Sequence, residues 1–231
     1  FEVLLNKTVN FVKKNQINKL NILALGDDIQ GILRLSDLQL NETTIVQSVV
    51  EISRLIATFL NDLSAYCMVD YYHAPTSNHS QIRPLGTKAS EIASEDVEYI
   101  IGNYIKDMLV NNHRVHVNFN FDKDYIKIPI FSFEIIALHG HTVKSVDSIL
   151  KDLSMLHRTF YDYCFLGHTH SSREITGNEG CLNDTEVLVL PSFIGSDPYS
   201  DSLRKGSKAA CKIYVFDEDE GHIETHKIQL N

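Results

Sequence analysis

A chain of 231 residues can bury one large core without needing a second domain. Apolar residues make up 43% and charged residues 22%, an ordinary globular balance, and no apolar run approaches the roughly 20 residues of a membrane span. The formal charge of −9 argues against a broad basic face for nucleic acid, but not against an acidic enzyme whose site is made positive by bound cations.

The opening stretch "FEVLLNKTVNFVKKNQ" mixes Lys, Asn and Glu into an apolar pattern of helical period, so it reads as a helix over 2–15 and not as a signal peptide. "LNILAL" follows as a short strand ending at Gly26. Asn41 is expected to cap a long helix through about Leu63, with Val46, Val49, Val50, Ile52, Leu55, Ile56, Phe59 and Leu60 as its buried stripe. "CMVDYYHA" reads as a strand running into the loop "PTSNHSQIRPLG". Ser94 is expected to start a helix to about Val110, with Glu95 and Asp96 in the first turn, where the helix dipole favours negative charge.

From residue 114 the period shifts toward two, and "RVHVNFNF", "YIKIPIFSFEIIALHG", "FYDYCFLG", "TEVLVL" and "AACKIYVF" all read as strands, with helical turns near 144–156. The chain is thus α/β in its first half and strand-rich in its second, without repeats or low-complexity linkers. Two stacked sheets with helices outside satisfy this order. Cys67, Cys164, Cys181 and Cys211 are widely spaced and form no C-x-x-C pair, which fits a reduced cytoplasmic protein with buried thiols.

Polar clusters fall just after strands: Asp27 and Asp28 after "NILAL", Asn78 and His79 after "VDYYHA", His139 and His141 after "EIIAL", His168 and His170 after "YCFL". Loops at strand ends can converge on one rim, where open α/β sheets bind ligands. Each cluster alone has an ordinary explanation. The pair His168 and His170 reads either as a tight turn with solvated imidazoles or as two neutral nitrogens aimed at a metal. His73, His113, His116, His157, His222 and His226 are read as hydrogen-bonded structural residues, and Asp28 either as a hydrogen-bond partner of a ligand or, the favoured reading, as a solvated carboxylate.

Taken together, Gly26-Asp27, Asn78-His79, His139 and Gly167-His168-x-His170, in that order, resemble the calcineurin-like metallophosphoesterase family over most of the chain. "SNHSQIRP", "LHGH" and "GHTHSS" are most similar to phage-associated relatives of the DNA-repair exonuclease branch that includes the nuclease subunit of SbcCD. The resemblance implies a single domain folded as a four-layer α/β/β/α sandwich. It also implies two divalent ions bridged by Asp27, one completed by Asn78, His139 and His168, with His170 turned to the other. Such ligands suit Mn, Fe or Zn better than Ca, with Mn the first expectation and Mg a further one. His79 would serve as the proton donor or charge stabiliser beside the leaving group.

By position, His141 is read as orienting His139 or contacting substrate, and Arg83 and Arg173, a few residues beyond "NH" and "GHTH", stand where a guanidinium would grip phosphate, although both also read as surface arginines. Gln81 is similar, and "PSFIGSDPYSDSLRKGSKAA" is expected to form a substrate wall. The implied activity is phosphodiester hydrolysis of nucleic acid or nucleotide. The alternatives are phosphomonoester or small-molecule diester hydrolysis, or a non-catalytic metal-binding descendant. A homo-oligomer or a nuclease-complex partner fits either, and no membrane is implied.

The family's opening Asp-x-His motif is not found before Gly26, so the expectation is that the chain begins just after it and that the chain as it stands holds one ion or none. Ser77 and Ser80 also flank Asn78-His79 where the family has Gly and an acid, which puts the orientation of His79 in question.

Overall fold

The computed structural model describes residues 1–31, 41–83, 87, 88, 91, 92, 94–177, 184–195 and 208–230, and its contacts divide the chain into two units, Phe1–Ile126 and Lys127–Asn231. Cys181 and most of the expected substrate wall lie outside the described residues.

In the first unit, helix α1 (Glu2–Asn15) leads to strand β1 (Lys19–Ala24), helix α2 (Ile45–Ser64), strand β2 (Met68–His73), helix α3 (Glu98–Met108) and strand β3 (Val115–Asn118). The strands form a parallel sheet in the order β1-β2-β3. Helix α1 ends because Gln16 takes a left-handed φ of 54°, letting Gln16 N–H and Ile17 N–H donate back to the carbonyls of Lys13 and Val12. That pair of bonds closes the last turn of a helix where glycine usually stands.

Helix α2 starts later than Asn41. Thr44 takes extended dihedrals and its hydroxyl accepts from the Gln47 N–H at 3.2 Å, so Thr44 is the cap. Starting there sets the buried face as Val49, Ser53, Ile56, Ala57, Leu60 and Leu63, and leaves Val46 and Leu55 exposed, contrary to the expected stripe. Leu60, Leu63, Ile101 and Ile105 are fully excluded from water between α2, α3 and the sheet, each contributing roughly 1.5–3 kcal/mol. Helix α3 likewise starts after Glu95 and Asp96: Asp96 stands before the helix and accepts from the Glu98 N–H at 3.0 Å. Asp96 also accepts from Thr76 and Ser77 at 2.7 and 3.2 Å, tying the helix start to the loop after β2.

In the second unit, a five-stranded sheet runs in the order β4 (Ile126–Ile130), β5 (Phe133–Leu138), β6 (Tyr163–Leu166), β8 (Thr185–Val189), β7 (Arg173–Gly177), where β4 opens on the last residue of the first unit. Strands β5, β6 and β8 are parallel neighbours, β7 is antiparallel to β8, and helix α4 (Ile149–His157) connects β5 to β6. Strands β9 (Ala210–Asp217) and β10 (Gly221–Gln229) form an antiparallel hairpin. Its turn is held by Asp217, whose carboxylate accepts from the Asp219 and Glu220 N–H groups. Strands β7 and β10 were not expected from the sequence, since both are largely polar and β10 is broken by a register shift at His222/Glu224. The chain is therefore mixed α/β, with three sheets among the described residues. No helix among those residues is long and apolar enough to cross a membrane.

Candidate metal centre

Strands β1 and β2 are parallel and in register from Lys19↔Met68 to Ala24↔His73, so the loops that follow them leave from one end of the sheet. Gly26 and Asp27 both take left-handed dihedrals, with φ of 85° and 58°, a sharp turn costly for aspartate and typical of functional sites. The turn brings Asp27 to the loop after β2, where its Oδ1 accepts from the backbone N–H of His79 at 3.1 Å. The His79 ring is held from the same side, with Nδ1 2.9 Å from the Gln30 carbonyl. A carbonyl only accepts, so Nδ1 carries a proton and Nε2, 4.0 Å from Asp27 Oδ2, is the nitrogen left to exchange one. Gly31 completes the clamp: at its φ of 71° a Cβ would overlap the His79 carbonyl oxygen, so only glycine lets the two loops meet this closely.

Asn78 is half-buried beside His79, and its carbonyl accepts from Arg83 Nη2 at 3.4 Å, which places the guanidinium on the same loop. Gln81 is buried and pairs through its backbone with Asp96. Ser77 and Ser80, which replace the flanking residues of the resembled motif, share a hydrogen bond of 2.7 Å. Ser77 also donates to Glu98 Oε1 at 3.1 Å, so a carboxylate reaches this loop from α3 rather than from the residue after His79. His79 is thus oriented by the Gln30 carbonyl.

Asp28 is not the solvated residue expected. Its side chain is 15% exposed, and Asp28, His73 and Glu98 offer ligand atoms within 4.8 Å of one another. Burial and then the neighbouring Glu98 push the Asp28 carboxyl far above the usual carboxylate range; burial and then Asp96 push Glu98 up as well. Burial holds the His73 imidazole below its ordinary value, hence neutral near pH 7. His73 does bond to Tyr71, as a structural histidine would, but its second nitrogen faces Glu98 at 2.9 Å. Sequence reasoning missed this group because Glu98 reads as a routine first-turn acid and His73 as the end of a strand.

In the second unit, β5 and β6 are parallel neighbours, so their following loops also share one end. The rings of His139 and His168 lie 5.1 Å apart between centroids, those of His139 and His141 5.4 Å, and those of His141 and His168 6.4 Å. His139 is buried and the other two are partly covered. Gly167 N–H donates to the His139 carbonyl at 3.1 Å, and Gly140 takes a φ of 97°, so the two loops are laced together beneath the rings. His168 and His170 both have left-handed φ, 31° and 53°, in a turn closed by Thr169 N–H to the Gly167 carbonyl at 2.6 Å. Two strained histidines in one tight turn fit an imposed role better than incidental solvation.

His170 is exposed two residues beyond His168, and Arg173 stands exposed at the first position of β7, opposite Val189. His116, His157, His222 and His226 pair with Asp70, Tyr161, Glu186 and Glu224, respectively, which fits their structural reading. Three imidazoles within ring contact suit a borderline divalent cation, and a carboxylate with a neighbouring amide suits the same class.

No protein-family model matches the chain. It is 35% identical over 229 residues to the SPbeta prophage-derived uncharacterized protein YonJ of Bacillus subtilis (strain 168), across 99% of this chain and 56% of the relative, so it spans little more than half that protein's length. Among solved structures it is similar to an archaeal phosphodiesterase, with a TM-score of 0.46 and 14% identity over 98% of this chain and 91% of that one. It is also similar to Vps29 of Entamoeba histolytica complexed with Zn²⁺, with a TM-score of 0.40 and 15% identity over 92% of this chain and 99% of that one. Likenesses of that degree carry no argument about this chain's chemistry.

Proposed function

We propose that the chain is a metal-dependent phosphoesterase of the calcineurin-like kind, acting on phosphodiesters of nucleic acid or nucleotides, with Asp27, Asn78, His139 and His168 as ligands to one divalent ion and Asp27 and His170 as part of the site for a second, which an Asp-x-His motif would have to complete. The observation that carries this reading is the meeting of His139 and His168, 29 positions apart in sequence, at the ends of two parallel strands with ring centroids 5.1 Å apart. The matching strand-end turn of the first unit supports it, since Asp27 and His79 are held there by a backbone hydrogen bond. The proposal includes a single four-layer sandwich built from both units.

The donor set fits the ions: carboxylate, amide and neutral imidazole together suit Mn, Fe or Zn, and Mn is our first choice. When bound, such ions supply an acidified water and neutralise phosphoryl oxygens. The chain's own residues would do the rest. Asp27 holds its loop against His79 through Oδ1, with Oδ2 4.0 Å from His79 Nε2. His79, with Nδ1 fixed on Gln30, presents Nε2 as the position from which a proton passes to the departing oxygen. Arg83, anchored to the Asn78 carbonyl, extends a guanidinium suited to a phosphate; Arg173 and His141 are further substrate contacts.

The test is a panel of single-stranded DNA, cyclic nucleotide and p-nitrophenyl mono- and diesters with Mn²⁺. Turnover of a diester, lost in Asp27→Ala and His168→Ala, is the expected result. Turnover of monoesters alone would reassign the substrate class. No turnover on any member, with metal still bound, would make the protein a binder and end the enzymatic reading.

A further inference from the structure

A second group of ligand atoms lies wholly inside the first unit. Asp28 Oδ2, His73 Nε2 and Glu98 Oε2 are each buried and, with both carboxyls ionised, make no hydrogen bond among the described residues; a proton on Asp28 or Glu98 would instead bond the two carboxyls to each other. His73 and Glu98 are fully excluded from water. Two of the remaining atoms are served: Glu98 Oε1 accepts from Ser77 at 3.1 Å, and His73 Nδ1 lies 2.9 Å from the Tyr71 hydroxyl. Each of the three residues offers a ligand atom within 4.8 Å of the others, with Asp28 Oδ2 3.8 Å from His73 Nδ1.

His73 Nε2 and Glu98 Oε2 stand 2.9 Å apart, near enough for a hydrogen bond, yet their directions do not make one. Two donors at that separation that aim past each other have the spacing of adjacent ligands on one ion, for which metal–ligand bonds of ~2.0–2.2 Å place neighbours ~3 Å apart. Tyr71 supplies the partner that a ligating histidine needs on its other nitrogen, and when its hydroxyl accepts from Nδ1 the lone pair is left on Nε2. Two carboxylates enclosed without a cation are costly, and a divalent ion offsets both.

We propose that Asp28, His73 and Glu98 form a buried structural site for one borderline divalent cation of the Zn²⁺ class, taken up on folding and separate from the strand-end centre. Its ligands come from the turn after β1, the end of β2 and the start of α3, so the ion pins the loop carrying Asp27 to the sheet and to the helix behind it. This inference does not rest on the phosphoesterase reading.

The experiment measures bound metal by elemental analysis after dialysis against chelator, with circular dichroism to report folding. The Asp27→Ala/His139→Ala/His168→Ala variant should retain about one ion per chain, and adding Glu98→Gln should remove it. A folded triple variant that loses all metal would overturn the proposal, leaving a proton shared between the carboxyls as what joins them. An ion that survives Glu98→Gln overturns it too. Should Glu98→Gln fail to fold, the Asp27→Ala/His139→Ala/His168→Ala variant is unfolded and refolded with Zn²⁺ or with chelator. A thermal midpoint several degrees higher with Zn²⁺ upholds the site, and equal midpoints refute it. Failure of the ester panel with the ion retained would sink only the catalytic reading.

Discussion

The two units solve one local problem with opposite chemistry. Each ends a central parallel strand beside a buried histidine, His73 at the end of β2 and His139 just past β5. His73 faces two carboxylates; His139 faces two other imidazoles. A neutral imidazole is cheap to bury among other imidazoles, and the strands that lead to these histidines are apolar and buried, with Ile135, Ile136 and Ala137 on β5 and Cys164 on β6. Buried carboxylates are costly, and the first unit answers with Ser77 donating to Glu98 and Thr76 donating to the neighbouring Asp96, while Tyr71 bonds His73. The difference separates a histidine on which the fold depends from one that the fold can spare.

The largest effect expected from this contrast is on activity. Asp27→Ala and His168→Ala should each lower Mn²⁺-dependent diester turnover at least ~10³-fold. His79→Ala should slow turnover about 10²–10⁴-fold with metal binding kept. Steady-state kinetics beside metal titration separates these, and equal loss of metal in all three variants would show that His79 is a ligand.

Stability should divide the other way. His73→Ala leaves Glu98 facing a cavity and should cost roughly 3–5 kcal/mol in urea unfolding, whereas His139→Ala should cost about 1 kcal/mol or less. Equal costs would mean that the two histidines are held alike and that the contrast is only one of neighbours.

Much of this fold was legible in the sequence, and the errors have particular causes. Helix α1 and strands β1, β2, β6 and β8 were read from period alone, because their apolar residues face a core on the expected side. The start of α2 was misplaced because Asn41 and Thr44 are both good caps, and only the Thr44 bond to Gln47 decides between them. Strand β10 escaped because "GHIETHKIQ" is polar and takes its order from pairing with β9. The strand-end histidines were visible as a pattern, since spacing in sequence survives folding. The Asp28–His73–Glu98 group was not, because its members come from three elements and converge only when α3 packs against the sheet.

A smaller test falls at the end of α1. Gln16 has a left-handed φ of 54° and an exposed side chain, so Gln16→Gly should relieve backbone strain and raise stability of the first unit by ~0.5–1 kcal/mol. Urea midpoints measure it. A decrease would mean that the unfolded-chain entropy gained by glycine outweighs the strain removed.

The smallest effect belongs to the second unit and concerns pH. Partial burial alone would raise the Glu174 carboxyl, but its hydrogen bond and charge contact with the Lys212 ammonium, 2.6 Å away, outweigh that and hold it below the ordinary range. A carboxyl depressed on folding contributes stability that is present above its unfolded value and is lost as pH falls through the folded one. The window therefore lies below about pH 4.5, the ordinary glutamate range. Glu174 is 37% exposed, so solvent screens the pair, and the contribution should shrink further in high salt. Other carboxylates titrate in the same window, which makes the useful quantity the difference in thermal midpoint between wild type and Glu174→Gln. That difference should be small and positive at pH 6 and should close toward zero as pH falls below the ordinary glutamate range. A difference that stays constant across the range would mean that Glu174 holds Lys212 by shape and hydrogen bonding, with its charge contributing nothing.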